Sequence, residues 1–600
     1  MMWTCFIYRV FFSFIILKRS NGISSPIQPF TEYKHSTELQ ANISDLWWTI
    51  DDAEREIVFE LHVKTTGWIA LGISPAGGMT GADIGVGWID QTGTVQFQDR
   101  YAYNRSRPVI DYTTTDWFAL QGREQDGWTA IQFRRLLETC DSMDVPIKSG
   151  TNILIYAYGL VDPDGNGEIS YHESRRGSRM LPLRYYIDQL PQTEYADLDS
   201  FELRINHSVP VADTTYYCKV FKTQITYPTK RHVIAHKILL DSNSREFVHH
   251  MSIYECDPST QFDNTKLPDD VCDDIRDQIS LCSSTVVTVW SVGGDEIMTY
   301  PEEAGYPVGG DFTVNYYMIE LHYDNPRLVS NRWDTTGVRF YLGDKLREHD
   351  IGYLTFGTDS TAQALAIPGG ADRFIVDSYC PASASLNIPK SGITVFCALP
   401  HTHLQGQSVW TKLIRNRTAV QYLFNSEAYD FNYQFHNRFP KPIQIYPGDE
   451  FATRCIYNTK NKNLTTRGGG RTKDEMCIHG FIYYPRMNDL SMCLTHNDWS
   501  AWKRFLNVSA ENFDETALQE ILIKIKWTPQ LVAQWQSFYD NTARGVTYGR
   551  SPFIIVETFA ALPKYQDLEP ERCSRACHTQ ISISSILIVL LARKAKTFFS

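Results

Sequence analysis

The sequence predicts a mainly β protein built from several β-sandwich domains, and three observations support this class. Runs of alternating or β-branched residues recur, as at positions 56–63, 151–158 and 285–290, and turn clusters separate them. Aromatic residues make up 13% of the chain, with 33 Tyr and 14 Trp, which favours strands. The 600 residues also exceed the roughly 250–300 that one core can hold. We therefore expect several sandwiches in series.

The composition excludes several classes of protein. Hydrophobic residues at 43% and charged residues at 21% are typical of globular domains and not of disordered or fibrous chains. The 57 Lys and Arg against 69 Asp and Glu give a formal charge of −12, which argues against nucleic acid as a partner. The sequence also lacks a phosphate-binding glycine loop, a His-Glu-x-x-His zinc helix and a Gly-x-Ser-x-Gly elbow.

The N-terminal residues 1–22 are predicted to form a secretory signal peptide. Their apolar run at positions 6–17 is shorter than a spanning helix needs and suits a signal. Arg9 interrupts this run and the basic pair 18–19 follows it, so a signal anchor is the alternative.

The C-terminal residues 581–600 allow two interpretations. An apolar stretch at 581–592 precedes a basic cluster at 593–596, which is the order found in a stop-transfer segment with a cytoplasmic tail. Twelve residues are few for a bilayer, so a peripheral tail is the other interpretation.

Cysteines and glycosylation signals predict the secretory pathway and a lumenal or extracellular location. Twelve cysteines remain when Cys5 in the leader is set aside, and an even number suits disulfides formed in an oxidising compartment. The Asn-x-Ser/Thr acceptor sites are Asn42, Asn104, Asn206, Asn416, Asn463 and Asn507.

Four regions are expected after the leader, with a hinge at 190–195. The first three are sandwiches, and the last is a C-terminal segment with the clearest helical stretch, 515–535, which Pro529 should break. Their expected bounds are 35–175, 195–340, 345–500 and 501–580.

The second and third sandwiches share a spacing of possible metal ligands. His249-His250 is followed 72 residues later by His322, and His401-x-His403 is followed 73 residues later by Met476. A close pair followed by one distant donor, twice over, suggests two sandwiches that each hold a metal. No matching sequence surrounds the two sets, so the spacing could also be accidental.

Each element of this pattern has a structural alternative. Period two on a strand would place His401 and His403 on one face, although such pairs are more often structural than ligands. Neighbours on a regular strand point to opposite faces, so His249 and His250 could share a metal only at a bulge or a strand end. The thioether of Met476 would suit cuprous copper, but Met in an apolar strand is normally core filler.

Residues 162–173 fit the spacing of a calcium loop. Positions 1, 3, 5, 6 and 12 of that pattern are filled by Asp162, Asp164, Asn166, Gly167 and Glu173. The preceding residues look like a strand and the following ones are not helical, so a helix–loop–helix is not expected. An acidic turn is favoured, with calcium binding as the alternative.

Four ordered motifs resemble those of the type II copper, ascorbate-dependent monooxygenases. The motifs are Val248-His-His-Met-Ser-Ile-Tyr-Glu-Cys256, Leu321-His-Tyr-Asp-Asn-Pro326, Leu399-Pro-His-Thr-His-Leu404, and Glu475-Met-Cys477 with Tyr483-Tyr-Pro485. The segments Gly67-Trp-Ile-Ala-Leu-Gly-Ile-Ser74 and Gly81-Ala-Asp-Ile-Gly-Val-Gly-Trp88 resemble a DOMON domain. This combination resembles the dopamine beta-hydroxylase branch, and specifically its orphan monooxygenase-like members, over about residues 35–500. Peptide-amidating relatives lack the DOMON unit.

The resemblance implies a DOMON sandwich followed by two jelly-roll-like copper domains. It implies two copper ions per chain, ascorbate as electron donor, dioxygen as co-substrate and a small amine-like substrate. One copper would be held by His249, His250 and His322, and the other by His401, His403 and Met476. Tyr216 and His401 match positions with catalytic roles in the family.

The resemblance also implies a disulfide pattern and a further metal site. The implied pairs are Cys218–Cys272, Cys256–Cys282, Cys380–Cys493 and Cys455–Cys477, with Cys140 joined to Cys573 or Cys577. Relatives carry a second cysteine shortly after the position of Cys380, whereas this chain has none there, and Cys397 lacks an obvious partner. A DOMON metal site of this branch would fall near Asp83 and Asp111.

Two other functions remain open at this point. The chain could be a non-catalytic secreted protein whose DOMON unit binds a ligand and whose copper sites serve storage or structure. It could also hydroxylate glycine-extended peptides, as amidating enzymes do.

Overall fold

The computed structural model describes residues 23–165, 167–184, 195–223, 227–282, 285–294, 297–550 and 553–569. Strands dominate this part of the chain and helices are few, which confirms the predicted mainly β class. The described residues divide into two compact units, one of those within 23–147 and 152–183 and one of those within 148–151 and 184–569.

The first unit is a β-sandwich. Its two sheets have the strand orders β1-β2-β3-β9-β8 and β11-β10-β4-β5-β6-β7. Their facing sides enclose an apolar core that includes Phe59, Leu71, Ile131 and Leu154, all fully buried. The strands are β1 His35–Gln40, β2 Ser44–Asp51, β3 Glu56–Val63, β4 Ile69–Ser74, β5 Ala82–Ile89, β6 Val95–Ala102, β7 Val109–Ile110, β8 Phe118–Gln125, β9 Trp128–Leu136, β10 Asn152–Tyr158 and β11 Arg176–Leu181.

The second unit begins with a sandwich of two main sheets. One has the order β12-β23-β15-β20-β24 and the other the order β17-β14-β21-β16-β18. The strands are β12 Ser200–Arg204, β13 His207–Ser208, β14 Thr214–Lys222, β15 Arg231–Leu239, β16 Val248–Glu255, β17 Asp269–Val271, β18 Thr285–Ser291, β19 Ile297–Thr299, β20 Ala304–Val308, β21 Tyr316–Asp324, β22 Trp333–Asp334, β23 Gly337–Leu342 and β24 His349–Asp350. Helix α1, Arg276–Ile279, and a 3-10 turn, Ser280–Cys282, lie between β17 and β18.

A second sandwich follows in the same unit. Its sheets have the orders β31-β28-β34-β25-β35-β36-β37 and β27-β32-β29-β30. The strands are β25 Gly352–Thr358, β26 Ala366–Ile367, β27 Phe374–Cys380, β28 Ile393–His401, β29 Gly406–Arg415, β30 Thr418–Ser426, β31 Asn437–Ile445, β32 Glu450–Tyr457, β33 Thr466–Arg467, β34 Ile478–Tyr484, β35 Met492–Asn497, β36 Arg544–Arg550 and β37 Phe553–Phe559.

Four helices accompany the second sandwich, and the predicted helical stretch 515–535 forms two of them, α4 and α5. The helices are α2 Ala382–Ser385, α3 Trp499–Leu506, α4 Glu515–Leu522 and α5 Pro529–Asn541. Pro529 occupies the first turn of α5 and Thr528 caps it, because proline lacks the N–H that a continuous helix would need there. Trp502 and Trp535 bury their rings against each other, 5.6 Å apart, and attach these helices to the sandwich.

Four disulfides lie in the second unit, and they are the pairs that the resemblance implies. They are Cys218–Cys272, Cys256–Cys282, Cys380–Cys493 and Cys455–Cys477. Cys140 is disulfide-bonded, but Cys573 and Cys577 lie outside the described residues. Cys397 is a buried thiol in β28.

Two predicted segments cannot be compared with the structure. The leader, 1–22, and the terminal stretch, 581–600, lie outside the described residues. Among the residues that are described, no helix has both the length and the apolar character needed to cross a bilayer.

Candidate functional site

Three histidines gather on one face of the β17-β14-β21-β16-β18 sheet. His322 lies in β21 opposite His250 in β16, and the register between these strands shifts between Val248 and His250. This bulge leaves His249 outside the ladder, so that both neighbouring imidazoles turn toward His322. An irregularity of this kind is what the sequence analysis requires for His249 and His250 to bind the same metal.

The three imidazoles turn their Nδ1 atoms toward one another. His250 Nδ1 lies 3.2 Å from His249 Nδ1 and 3.3 Å from His322 Nδ1. The Nε2 of His322 is 2.7 Å from the hydroxyl of Thr214, which can accept its proton and leave the Nδ1 lone pair free. Three converging nitrogen lone pairs in a buried pocket fit a copper or zinc ion.

The second pair, His401 and His403, lies at the end of β28. The structure differs from the expected single strand, because β28 ends at His401 and His403 lies in the following loop. Thr402 leaves the sheet since the hydroxyl of Tyr429 accepts its N–H at 3.1 Å and donates to its carbonyl at 2.6 Å.

Hydrogen bonds orient both imidazoles of this pair. The Nδ1 of His401 is 2.7 Å from Gln434 Oε1, and the Nδ1 of His403 is 3.0 Å from the carbonyl of Asp474. Both partners are acceptors, so each Nδ1 carries the proton and each Nε2 keeps its lone pair. His403 Nε2 is buried without a hydrogen-bond partner, as expected of a metal-binding nitrogen.

Glu475 connects Met476, the third candidate donor of this set, to the loop that contains His403. Its carboxylate accepts backbone N–H groups of His403 at 2.8 Å, Gln405 at 2.6 Å and Met476 at 3.1 Å. Met476 itself is half-buried, lies two residues before the start of β34, and contributes to the wall of a cavity. A thioether together with two imidazole Nε2 atoms would be a donor set suited to cuprous copper.

Burial keeps the histidines neutral, which is the state that binds metals. Desolvation lowers the pKa of His249, His322 and His403 to about 3, and it also lowers the pKa of His250 and His401. The same effect raises the pKa of Glu475 to about 7.

The two histidine sets lie close together. The rings of His250 and His401 are 6.0 Å apart between centroids. Phe431 stacks on His249 at 4.5 Å and lies edge-on to His403 at 6.0 Å, so one aromatic ring touches both sets.

Tyr216 packs against the first set. Its ring is stacked on His322 with centroids 4.5 Å apart and lies 5.5 Å from His250. Its hydroxyl donates to the carbonyl of Gly470, and burial raises its pKa.

A cavity of about 870 Å³ opens between the two sets. One wall is the histidine-bearing face of β14, β16, β18 and β21, and the other is the face of β25, β28, β34 and β35 that carries His401. Tyr216, His250, His401 and Met476 all line it. A small molecule in this cavity would therefore contact residues of both sets.

A separate acidic cluster lies in the first unit. Asp83, Asp99 and Asp144 bring carboxylate oxygens within 4.8 Å of one another, and Arg135 donates to Asp83. Burial raises the pKa of Asp99 to about 7 and that of Asp144 to about 8. Asp111 is buried nearby, and its N–H donates to the carbonyl of Asp99 at 2.9 Å. The three carboxylates outnumber the one cationic side chain beside them, and carboxylate oxygens are the ligands that a hard cation such as calcium prefers.

The calcium-like segment 162–173 is an acidic turn between strands β10 and β11. Asn166 lies outside the described residues, and Asp164 accepts the N–H of Glu168 at 3.0 Å. Glu173, the expected bidentate ligand, instead pairs with Arg175 at 3.0 Å.

All six predicted glycosylation sites have exposed asparagine residues. They are Asn42, Asn104, Asn206, Asn416, Asn463 and Asn507.

The sandwiches and the two neighbouring sets of nitrogen and sulfur donors are typical of a copper-binding class of protein. Family models match residues 42–159 as a DOMON domain, and residues 201–330 and 349–505 as the N-terminal and C-terminal domains of copper type II ascorbate-dependent monooxygenases. The chain belongs to this monooxygenase family, in its dopamine beta-hydroxylase-like group. It is an oxidoreductase that depends on copper and ascorbate.

Several curated proteins are similar to this chain over most of its length. The DBH-like monooxygenase protein 1 of Homo sapiens is 31% identical, covering 83% of this chain and 82% of that protein. The DBH-like monooxygenase protein 2 of Mus musculus is 31% identical, covering 87% and 83%. The dopamine beta-hydroxylase of Canis lupus familiaris is 29% identical, covering 80% and 75%.

Sequence reasoning missed the residues that orient the donors. Thr214 contacts His322 and Gln434 contacts His401, and each lies more than 30 residues from its partner in the sequence. Glu475 accepts N–H groups of His403 and Met476. Only Glu475 gave a local signal, because it lies directly beside Met476 in the sequence.

Proposed function

We propose that this enzyme uses dioxygen to hydroxylate a C–H bond of a small amine-type substrate, with two copper ions per chain. The observation that carries the proposal is the cavity whose walls bear both histidine sets. A substrate there lies beside one set while the other set is only 6.0 Å away between the nearest rings, so electrons need not travel far.

His249, His250 and His322 would hold one copper through Nδ1, and His401 and His403 through Nε2, with Met476, would hold the other. Bound copper would supply one-electron redox steps and activation of dioxygen, with ascorbate as the reductant. The protein keeps the imidazoles neutral and fixes their tautomers through Thr214, Gln434 and the Asp474 carbonyl. The Met476 thioether favours the cuprous state.

Tyr216 and His401 are the proposed catalytic residues. Both face the cavity, where they can touch the substrate. Tyr216 positions His322 by stacking, and its hydroxyl links the first histidine wall to Gly470 of the second sandwich.

The test is oxygen consumption with product analysis in the presence of ascorbate. Wild-type enzyme should form a hydroxylated amine in step with oxygen consumed, whereas Met476→Ile should abolish turnover and keep the fold. Met79→Ile, the same change at a half-buried methionine of the first unit, is the matched control. Full ascorbate-dependent turnover by Met476→Ile would contradict the assignment of the second site.

A secretory location and a cation in the first unit complete the proposal. Disulfides and six exposed glycosylation sites support a lumenal or extracellular protein, with the signal peptide and any anchor lying outside the described residues. The Asp83, Asp99 and Asp144 cluster would bind a hard cation such as calcium.

A further inference from the structure

One carboxylate stands on the wall of the cavity beside the first histidine set. The two-residue period of β21 places Met318, Glu320 and His322 on the same face. The ladder puts Glu320 opposite Ser252 of β16 on one side and Cys218 of β14 on the other. Glu320 therefore lies within the sheet, about 7 Å along the strand from His322.

The charge of Glu320 has no cationic partner among the described residues. Its nearest polar contact is the hydroxyl of Tyr254 at 3.4 Å, a long hydrogen bond. The other charged pair at the cavity, Asp273 and Arg276, lies at its mouth, where the two side chains are exposed and pair with each other. A carboxylate withdrawn from solvent in part and without a cation is unfavourable, so the presence of half-buried Glu320 needs an explanation.

The remaining walls are apolar or neutral. From the first sandwich come Val289 and Met318, and from the second come Leu399, Ile478 and Leu494. Such a cavity suits an apolar body that carries one positive charge. Among the side chains of these walls the one unpaired charge is negative, which favours a cationic group over a carboxylate at that position.

We propose that Glu320 is the subsite that binds the ammonium group of the substrate and so makes the enzyme specific for amines with an apolar body. This inference rests on the proposed function and deepens it. It also bears on the peptide-amidating alternative, since Glu320 would repel the C-terminal carboxylate of a glycine-extended peptide.

Equilibrium binding tests the subsite without relying on turnover. The copper-loaded full chain is titrated in a calorimeter with 2-phenylethylamine and with its neutral analogue 2-phenylethanol. We expect wild type to bind the amine at least tenfold more tightly than the alcohol. Glu320→Gln should lose at least tenfold in affinity for the amine and keep its affinity for the alcohol. Glu520→Gln, the same change at an exposed glutamate outside the cavity, should keep the amine preference.

Two results would overturn the subsite. One is equal affinity of wild type for amine and alcohol. This result is obtained with the wild-type protein alone and does not depend on the folding of a variant. The other is undiminished amine affinity in Glu320→Gln with normal copper content, which would mean that the amine coordinates copper directly.

Turnover separates this inference from the proposed function. Glu320-dependent amine binding without ascorbate-dependent oxygen consumption would support the subsite and contradict the monooxygenase reaction on amines. Turnover of the amine with an unchanged KM in Glu320→Gln would overturn the subsite and leave the proposed reaction standing.

Discussion

Replacing Glu475 by Gln should lower the copper affinity of the candidate set His401, His403 and Met476 more than it lowers the stability of the fold. The carboxylate accepts three backbone N–H groups through two oxygens, and two of these N–H groups belong to the candidate ligands His403 and Met476. A glutamine offers only one oxygen, and its NH₂ group would face a donor. At least one buried N–H therefore loses its acceptor, at a cost of about 1–3 kcal/mol.

This cost should appear in copper affinity, because the lost contact holds the loop of one ligand against the other. Changes that disturb the support of a ligand typically reduce metal affinity by about 10–100-fold. We therefore expect Glu475→Gln to lose affinity in this range at one site of the two.

The assay is competition between the protein and a copper chelator of known affinity, read as copper retained per chain. Glu520→Gln is the control, since Glu520 is an exposed glutamate of the same half of the unit. Two sites of wild-type affinity in Glu475→Gln would refute the positioning role.

Three further predictions follow from other parts of the molecule. Calcium should raise the melting temperature of wild type, as followed by calorimetry, if the Asp83, Asp99 and Asp144 cluster binds it. Asp99→Asn should raise the melting temperature without calcium, by relieving repulsion between carboxylates, and should abolish the rise with calcium. Burial lowers the pKa of His236 to about 3, so the unfolded chain binds one more proton than the folded one between about pH 5.5 and 4.5, and stability falls as the pH is lowered. His236→Gln should therefore reduce the pH slope of the unfolding free energy in this range by about 1.4 kcal/mol per unit, measured by urea titration. An unchanged slope would contradict this. Tyr216→Phe should keep its stacking and copper content but lower kcat about fivefold in steady-state assays, because one hydrogen bond worth about 1 kcal/mol is lost.

Local sequence patterns predicted much of the fold. Alternation and β-branched runs predicted the strands, and Pro529 predicted the interruption of the C-terminal helical region, where it begins α5. These features depend on neighbouring residues, and their physical rules act over a few positions.

The geometry of the candidate site depends on contacts between distant residues. Adjacency alone could not place His249 and His250 on one side, because the bulge arises from pairing with β21, some 72 residues away. Similarly, the strand pattern for His401 and His403 failed since the hydroxyl of Tyr429 draws Thr402 out of the sheet. The charge of Glu320 became informative only when two sheets enclosed it.

The central claim is that the two histidine sets are two copper sites, and copper content tests it most directly. The purified chain is loaded with copper, dialysed and measured by elemental analysis. The account predicts about two copper ions per chain and the loss of one in Met476→Ile or His403→Ala. No bound copper, or a content that neither substitution changes, would contradict it.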